Sequence, residues 1–204
     1  MIGEVYEGAL AGLGDAEIEH IDGRSVPLRV ERWFGAVPGD DTLLDRCDGP
    51  TLDVGSGPGR LTVALAERGL PALGIDITPY AVELTRAAGG LALRRDVFGR
   101  VPGAGRWRTV VLADGNVGIG GDPAALLRRV AELIGTGGRA LVEVQPPGRP
   151  AGFETVRLRT GRQVGAWFSW AYVGVDAIQD VAGGAGLTVH ETWTAGGRWF
   201  VALN

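Results

Sequence analysis

The sequence predicts an α/β protein: a doubly wound, seven-stranded, mostly parallel sheet that closes with a C-terminal antiparallel hairpin strand. Three observations lead there. Short apolar runs alternate with segments of helical period, the pattern of strands joined by crossover helices. The first run, Thr51-Leu52-Asp53-Val54, enters a turn with glycines at alternating positions, Gly55, Gly57 and Gly59, followed by a helical pattern over 61–68. The last two runs, 187–193 and 199–203, flank Ala195-Gly196-Gly197 and are expected to pair antiparallel. A chain of 204 residues with 45% hydrophobic content buries one sizeable core. A single domain over 39–204 is therefore expected, preceded by an extension over 1–38.

In chain order, the extension contains His20 in an acidic stretch with Asp15, Glu17 and Glu19, read as a helix. Pro58 suits the first helical position after the glycine turn, where no amide donor is needed, and Gly69 stops that helix. Ala72 to Asp76 form a second strand. Asp76 stands about twenty residues beyond the glycine turn, the spacing at which a carboxylate meets a ribose diol, although an N-cap role alone would also account for it. Thr78-Pro79 cap and start a helix that Gly89-Gly90 ends. A third strand over 91–95 delivers Asp96, which its arginine neighbours Arg94 and Arg95 could instead hold as an ion pair. A fourth strand over 108–113 delivers Asp114-Gly115-Asn116 and a glycine-rich stretch. In an open parallel sheet the ligand crevice lies outside the carboxyl ends of the strands, so Asp114 and Asn116 should border it. Asp122-Pro123 open a helix to 134 with an apolar stripe of Ala125, Leu126, Val130 and Leu133; Gly135 to Gly138 end it, and a fifth strand runs over 139–145 to Pro146-Pro147. Alternating segments over 153–159 and 164–170 around Thr160-Gly161-Arg162 read as a hairpin inserted at about 151–172, and 175–182 as a short helix.

The glycine spacing narrows the ligand. A dinucleotide fingerprint G-x-G-x-x-G counted from Gly55 would need glycine where Arg60 stands. The segment reads D-x-G-x-G-x-G, which resembles the first motif of class I, Rossmann-like methyltransferases that use S-adenosyl-L-methionine; the resemblance covers roughly residues 50–145. It implies that Asp53, Gly55, Ser56, Gly57 and Gly59 meet the methionine end of that cofactor, Asp76 with Ile77 the ribose, and Asp96 with the backbone of Val97 the adenine. It places Asp114, Gly115 and Asn116 beside the transferable methyl group, with S-adenosyl-L-homocysteine as product. The D/N-P-P-Y form of the fourth motif, typical of amide and adenine N-methylation, is missing. The extension is expected to act as a lid, with His20 or Asp114 as general base. Trp33 and Trp170 are the aromatic residues expected to wall the acceptor, since an aromatic face holds a sulfonium or a flat organic molecule.

Composition excludes other chemistry. All 20 basic residues are arginine, so neither a lysine Schiff base nor a phosphate-loop lysine exists. Two histidines and one cysteine argue against a structural zinc site, and no metal-ligand set is visible. A net charge of -4 argues against a nucleic-acid backbone as partner. No apolar run approaches the ~18 residues of a membrane span. The acidic start and the lone Cys47 fit a soluble, cytoplasmic protein. The expected function is S-adenosylmethionine-dependent methylation of a small molecule, a secondary metabolite among the candidates. The alternatives are a Rossmann-type oxidoreductase using NAD and a non-catalytic protein that binds S-adenosylmethionine. The acceptor and the oligomeric state are not written in the sequence.

Overall fold

The computed structural model describes residues 3–161 and 163–204. Its centre is a seven-stranded sheet in the order β10-β11-β7-β6-β3-β4-β5. Strands β3 (Thr51–Val54), β4 (Ala72–Asp76), β5 (Ala92–Arg94), β6 (Trp107–Leu112) and β7 (Ile134–Val144) are parallel. β11 (Arg198–Leu203) runs antiparallel to β7 and to β10 (Val189–Ala195), as the glycine turn between them predicts. The chain winds outward from β3 to β5, then returns to lay β6 against the other side of β3, with Leu52 opposite Val110. The carboxyl ends of β3 and β6 therefore diverge, which opens a crevice at that point.

Both faces of the sheet are buried, which is why its strands read as continuous apolar runs. On one face Leu52, Val110 and Val142 pack under Leu126, Leu127, Val130 and Leu133 of helix α5 (Pro123–Leu133). On the other, Val111, Leu141 and Phe200 pack against Leu61 and Leu65 of α3 (Arg60–Glu67) and Leu43 and Leu44 of α2 (Asp40–Leu44). Asp122 caps α5 by accepting from the Ala125 amide at 2.9 Å. Helix α4 spans Pro79–Ala87 and packs against β4, β5 and α3.

Several elements differ from expectation. Pro58 precedes α3 rather than opening it; Gly59, in a left-handed conformation, is the N-cap. Gly135 to Gly138 are not a loop: they belong to the eleven-residue β7, whose register against β6 shifts between Trp107 and Thr109. A bulge absorbs glycines that resemble a helix stop. The largest difference lies in the extension. Glu17 to His20 form strand β1, not a helix, because Ile18 and His20 alternate with Glu17 and Glu19. β1 pairs with β2 (Ser25–Pro27) and with β8 (Gly152–Arg159), which pairs with β9 (Phe168–Tyr172). The extension and the inserted hairpin thus share a second, four-stranded sheet, β2-β1-β8-β9. Glu19 stands opposite Arg157 and accepts from its Nε at 2.9 Å and Nη2 at 3.0 Å. The hairpin's second strand begins at Phe168 rather than Val164, which makes only an isolated bridge to Arg159; Arg162, expected in the turn, lies outside the described residues. Helix α1 (Gly3–Leu10) covers this sheet through Val5 and Ala9 against Leu158. A short helix α6 (Ile178–Gly183) precedes β10.

Candidate active site

A cavity of about 780 Å³ lies between the carboxyl ends of β3, β4 and β6 and the four-stranded sheet. That volume falls within the ~300–1,000 Å³ of ligand pockets.

Its floor is the glycine turn. Gly55, Gly57 and Gly59 have φ of +70°, +54° and +94°, a region costly for any residue with a Cβ. Space forbids side chains as well: a Cβ on Gly59 would stand 2.5 Å from Thr85 Cγ2, and one on Gly55 2.8 Å from Asn116 Nδ2. The turn is pinned from three sides. Asn116 Nδ2 donates to the carbonyls of Val54 at 2.9 Å and Gly55 at 3.0 Å. The Gly57 amide donates to Asp76 Oδ2 at 3.0 Å, and Thr85 Oγ1 donates to the Gly57 carbonyl at 3.0 Å.

Beneath the turn, Asp53 is almost fully buried and accepts from Thr62 Oγ1 at 2.7 Å. Burial pushes its carboxyl up to about 6, against the lowering influence of that hydrogen bond and of Arg60. Asp76 is also buried at the cavity wall. Its Oδ1 accepts from the Thr78 amide at 2.8 Å, and burial raises its carboxyl above the ordinary range. Each Asp76 oxygen thus holds a main-chain donor, and the Thr78 hydroxyl and the Ile77 amide also favour the ionised carboxylate. Asp96 is exposed at the rim, where Oδ1 accepts from the Phe98 amide at 3.0 Å, and no ion pair to Arg94 or Arg95 forms. Val97 is buried, and its carbonyl accepts from Arg129 Nε at 2.8 Å. Ser56, Ile77, Gly115 and Asn116 line the same cavity.

Asp114 is placed differently from a free base. It holds a positive φ of +53° at the end of β6, and its carboxylate is ion-paired with Arg60. Arg60 also pairs with Asp40. Arg198 joins from β11: Nη1 contacts Asp40 Oδ1 at 2.8 Å, Nη2 contacts Glu143 Oε2 at 2.7 Å and Asp114 Oδ1 at 3.4 Å. Glu143 Oε2 accepts the Asp114 amide at 2.6 Å. Burial raises the Asp114 carboxyl, opposed by Arg60. Burial also works upward on Asp40, but Arg60, the Val37 amide and Arg198 outweigh it and hold that carboxyl below the ordinary range.

The roof is the four-stranded sheet. It brings Trp170 and His20 onto the cavity, and Trp33 joins them from the 3-10 turn Val30–Trp33 that follows β2. Trp170 forms an edge-on pair with Phe168 at 6.2 Å. Gly118 allows the approach, since a Cβ there would stand 2.3 Å from the Ala171 carbonyl oxygen. Trp33 packs on Tyr6, their ring centroids 5.7 Å apart. Tyr6 reaches over the glycine turn, with Oη 3.4 Å from where a Gly57 Cβ would be. Burial, then Asp76 and Asp114, push its phenol far above the ordinary range. His20 Nδ1 lies 3.1 Å from Glu154 Oε2.

Tyr6, Asp40, Arg60, Glu143, Glu154 and Arg198 were not expected at the site from the sequence. Arg60 carried a signal, an arginine at the mouth of a ligand turn. Asp40 and Arg198 are 158 positions apart and had none.

A doubly wound sheet with an antiparallel β10–β11 edge and a glycine turn at its switch point defines the class I methyltransferase fold. A family model for a methyltransferase domain matches residues 52–142. A SAM-dependent methyltransferase from Bacteroides fragilis, solved with S-adenosyl-L-homocysteine, superimposes with a TM-score of 0.84 at 21% identity, over 98% of this chain and 92% of that one. The 1,6-didemethyltoxoflavin-N1-methyltransferase of Burkholderia thailandensis matches with a TM-score of 0.59 at 17% identity, over 80% of this chain and 75% of that one. In sequence, 44 residues are 41% identical to an ATP synthase lysine N-methyltransferase of Rattus norvegicus. That stretch is 22% of this chain and 20% of the relative, so the match spans about a fifth of the relative's length. Residues 52–142 thus match a methyltransferase domain, and the chain as a whole has the fold of the class I S-adenosylmethionine-dependent methyltransferases.

Proposed function

We propose that the protein transfers the methyl group of S-adenosylmethionine to a small molecule held between the glycine turn and the four-stranded sheet. The observation that carries this reading is one cavity bounded on one side by Gly55, Asp53 and Asp76 and on the other by Trp33, Phe168 and Trp170. When bound, the cofactor supplies a methyl group on positively charged sulfur, already activated for displacement. The residues fit it. Desolvated carboxylates with raised pKa values, Asp53 and Asp76, are what a cation would stabilise in their ionised form.

In this reading Asp53, Gly55, Ser56, Gly57 and Gly59 hold the methionine end. Asp76 meets the ribose hydroxyls beside Ile77, and Asp96 and Val97 meet the adenine. Gly115 and Asn116 border the methyl group. Asp114 is a wall rather than a base, because Arg60 and Arg198 already occupy its carboxylate. The base role falls to His20. Residues 1–38, with the hairpin at 151–172, cover the cavity as a lid. A molecule that fits about 780 Å³ beside the cofactor is small, and the net charge of -4 disfavours nucleic acid. A cytoplasmic location goes with this reading, since Cys47 is a free, buried thiol.

Calorimetry with S-adenosylmethionine, S-adenosylhomocysteine and NADH tests the reading. Binding of the first two and not of NADH is expected. NADH binding alone would give the oxidoreductase, and no binding by any of them would remove the proposal.

A further inference from the structure

His20 and Glu154 come from segments 134 positions apart and meet on the roof of the cavity. His20 is buried on β1 with Val156 of β8 as its direct partner; Glu154 lies two residues before Val156, hence on the same face. Both line the cavity. The other side chains this sheet turns to the cavity are chiefly apolar: Ile18, Val26, Val156, Leu158, Phe168 and Trp170. A polar pair in such a setting is costly unless its groups satisfy one another.

Two neighbours compete for His20 Nδ1. Glu154 Oε2 lies at 3.1 Å and Arg24 Nη2 at 3.2 Å. A carboxylate only accepts and a guanidinium only donates, so they demand opposite tautomers. The carboxylate wins on physical grounds. A bare nitrogen lone pair 3.1 Å from a carboxylate oxygen is repelled, and Glu154 is the less exposed of the two partners, with side-chain exposures of 29% against 54%. Arg24 has other outlets, Glu154 Oε1 at 3.6 Å and Asp22 at 3.8 Å. Arg149 Nη2 steadies the Glu154 carboxylate from behind, at 3.1 Å from Oε1. With its proton on Nδ1, the ring presents Nε2 as a bare acceptor. Nε2 has no hydrogen-bond partner among the described residues, and His20 is one of the residues that line the cavity.

Resting on the methyltransferase reading, we propose that Glu154 is the positioning residue that holds His20 as a general base with Nε2 bare. We further propose that the acceptor is a flat, largely apolar molecule bearing one acidic hydroxyl, a phenol or enol. The proton of that hydroxyl passes to Nε2. The oxygen's electron pair forms the bond to the methyl carbon, and the carbon–sulfur bond breaks with its pair left on sulfur. The positive charge that leaves the sulfonium is recovered on the imidazolium, so charge balances. An apolar roof favours entry of the neutral hydroxyl, and the base takes its proton once the acceptor is seated against Nε2, ahead of methyl transfer.

The chain has two histidines, and the other, His190, is exposed on β10. Histidine rings labelled with nitrogen-15 in the full chain therefore give two sets of long-range proton–nitrogen signals, separable with His190→Asn. The expected wild-type spectrum at neutral pH puts the His20 proton on Nδ1. In Glu154→Leu only Arg24 remains at Nδ1, and it can only donate, so the proton moves to Nε2. A wild-type ring protonated on Nε2 overturns the proposal, as does a folded Glu154→Leu with unchanged tautomer. If that variant fails to fold, the wild-type spectrum still decides. With S-adenosylhomocysteine bound, 4-nitrophenol is the acceptor probe. Its phenolate absorbance should appear in the wild type below the pH where the free phenol ionises and be lost in His20→Asn; absence from the wild type refutes the acceptor class. Calorimetric binding of S-adenosylhomocysteine, expected unchanged in Glu154→Leu, reports separately on the methyltransferase reading.

Discussion

Arg198→Met tests whether the buried charge cluster supports the site. Arg198 is 7% exposed and contacts three carboxylates, those of Asp40, Asp114 and Glu143. Its removal leaves them with Arg60 as the sole guanidinium, and Arg60 pairs with Asp40 and Asp114 but not Glu143. Breaking a buried pair by deleting one partner costs about 3–5 kcal/mol. Glu143 and Asp114 keep 17% and 22% side-chain exposure, which places the cost at the lower end, about 3 kcal/mol. For a chain of this length each kcal/mol shifts Tm by roughly 2–4 °C, so thermal unfolding should begin about 6–12 °C lower. The sign of the pH dependence is fixed. Without the guanidinium, the Asp114 carboxyl holds its proton more tightly than in the unfolded chain, so the deficit shrinks as pH falls through its raised pKa. Burial already raises Asp114, which makes it the group that takes up the proton. Adding Glu143→Gln should recover part of the loss at neutral pH, since it deletes the charge left without a partner. A Tm equal to the wild type at both neutral and mildly acid pH would refute this assignment of energy to the cluster.

Two further outcomes follow from the cavity walls. The Asp53 carboxyl stands at about 6, above its unfolded value, so its contribution to the stability of the unliganded protein is present below the unfolded pKa and lost as pH rises through 6. A cationic ligand favours the ionised form, so calorimetric affinity for S-adenosylmethionine should rise from about pH 5 to about pH 7 and level off, with Asp53→Asn flattening the curve; a flat wild-type profile contradicts it. Gly118→Ala would press a methyl group to 2.3 Å from the Ala171 carbonyl oxygen and 2.5 Å from Trp170 Nε1, so β9 must retreat from the Asn116 turn. The expected cost is about 1–3 kcal/mol by thermal unfolding, with S-adenosylhomocysteine affinity little changed, and a wild-type Tm would show that the two segments do not pack as described.

The sheet was legible in the sequence because its signals are local. Thr51 to Val54, Ala72 to Asp76 and the Asp122-Pro123 helix start lie within a residue or two of where they were expected. Each is marked by an apolar run next to a glycine, a proline or a cap. The failures have one physical origin. Gly135 to Gly138 look like a helix stop because glycine is common there, yet β6 pairs with Ile134 before them and with Arg139 after them, and the bulge between takes them up. Glu17-Ile18-Glu19-His20 has the alternation of a strand, but four residues are too few to outweigh acidic composition. What makes it a strand is β8, more than a hundred positions away. Pairing partners at that distance leave no trace in a single sequence.

The same division runs through the site. The glycine turn and the carboxylates at strand tips are spaced by the geometry of one βαβ unit, so their positions were readable from counting. The charge cluster is not: Asp40, Arg60, Asp114, Glu143 and Arg198 come from five separate parts of the chain, and Asp40, Glu143 and Arg198 carry no site signal alone. Asp114 illustrates the consequence. From its place at the tip of β6 it is the natural base, and only the arrival of Arg198 from the last strand of the sheet, with Arg60, engages its carboxylate. Its loss of that role and the one proposed for His20 have a common cause. Both depend on which distant partner sits beside the group, a guanidinium for Asp114 and a carboxylate for His20. A bare acceptor nitrogen in an apolar roof is a better proton acceptor for a neutral hydroxyl than a carboxylate already held by two cations, because the second must give up those contacts before it can take the proton.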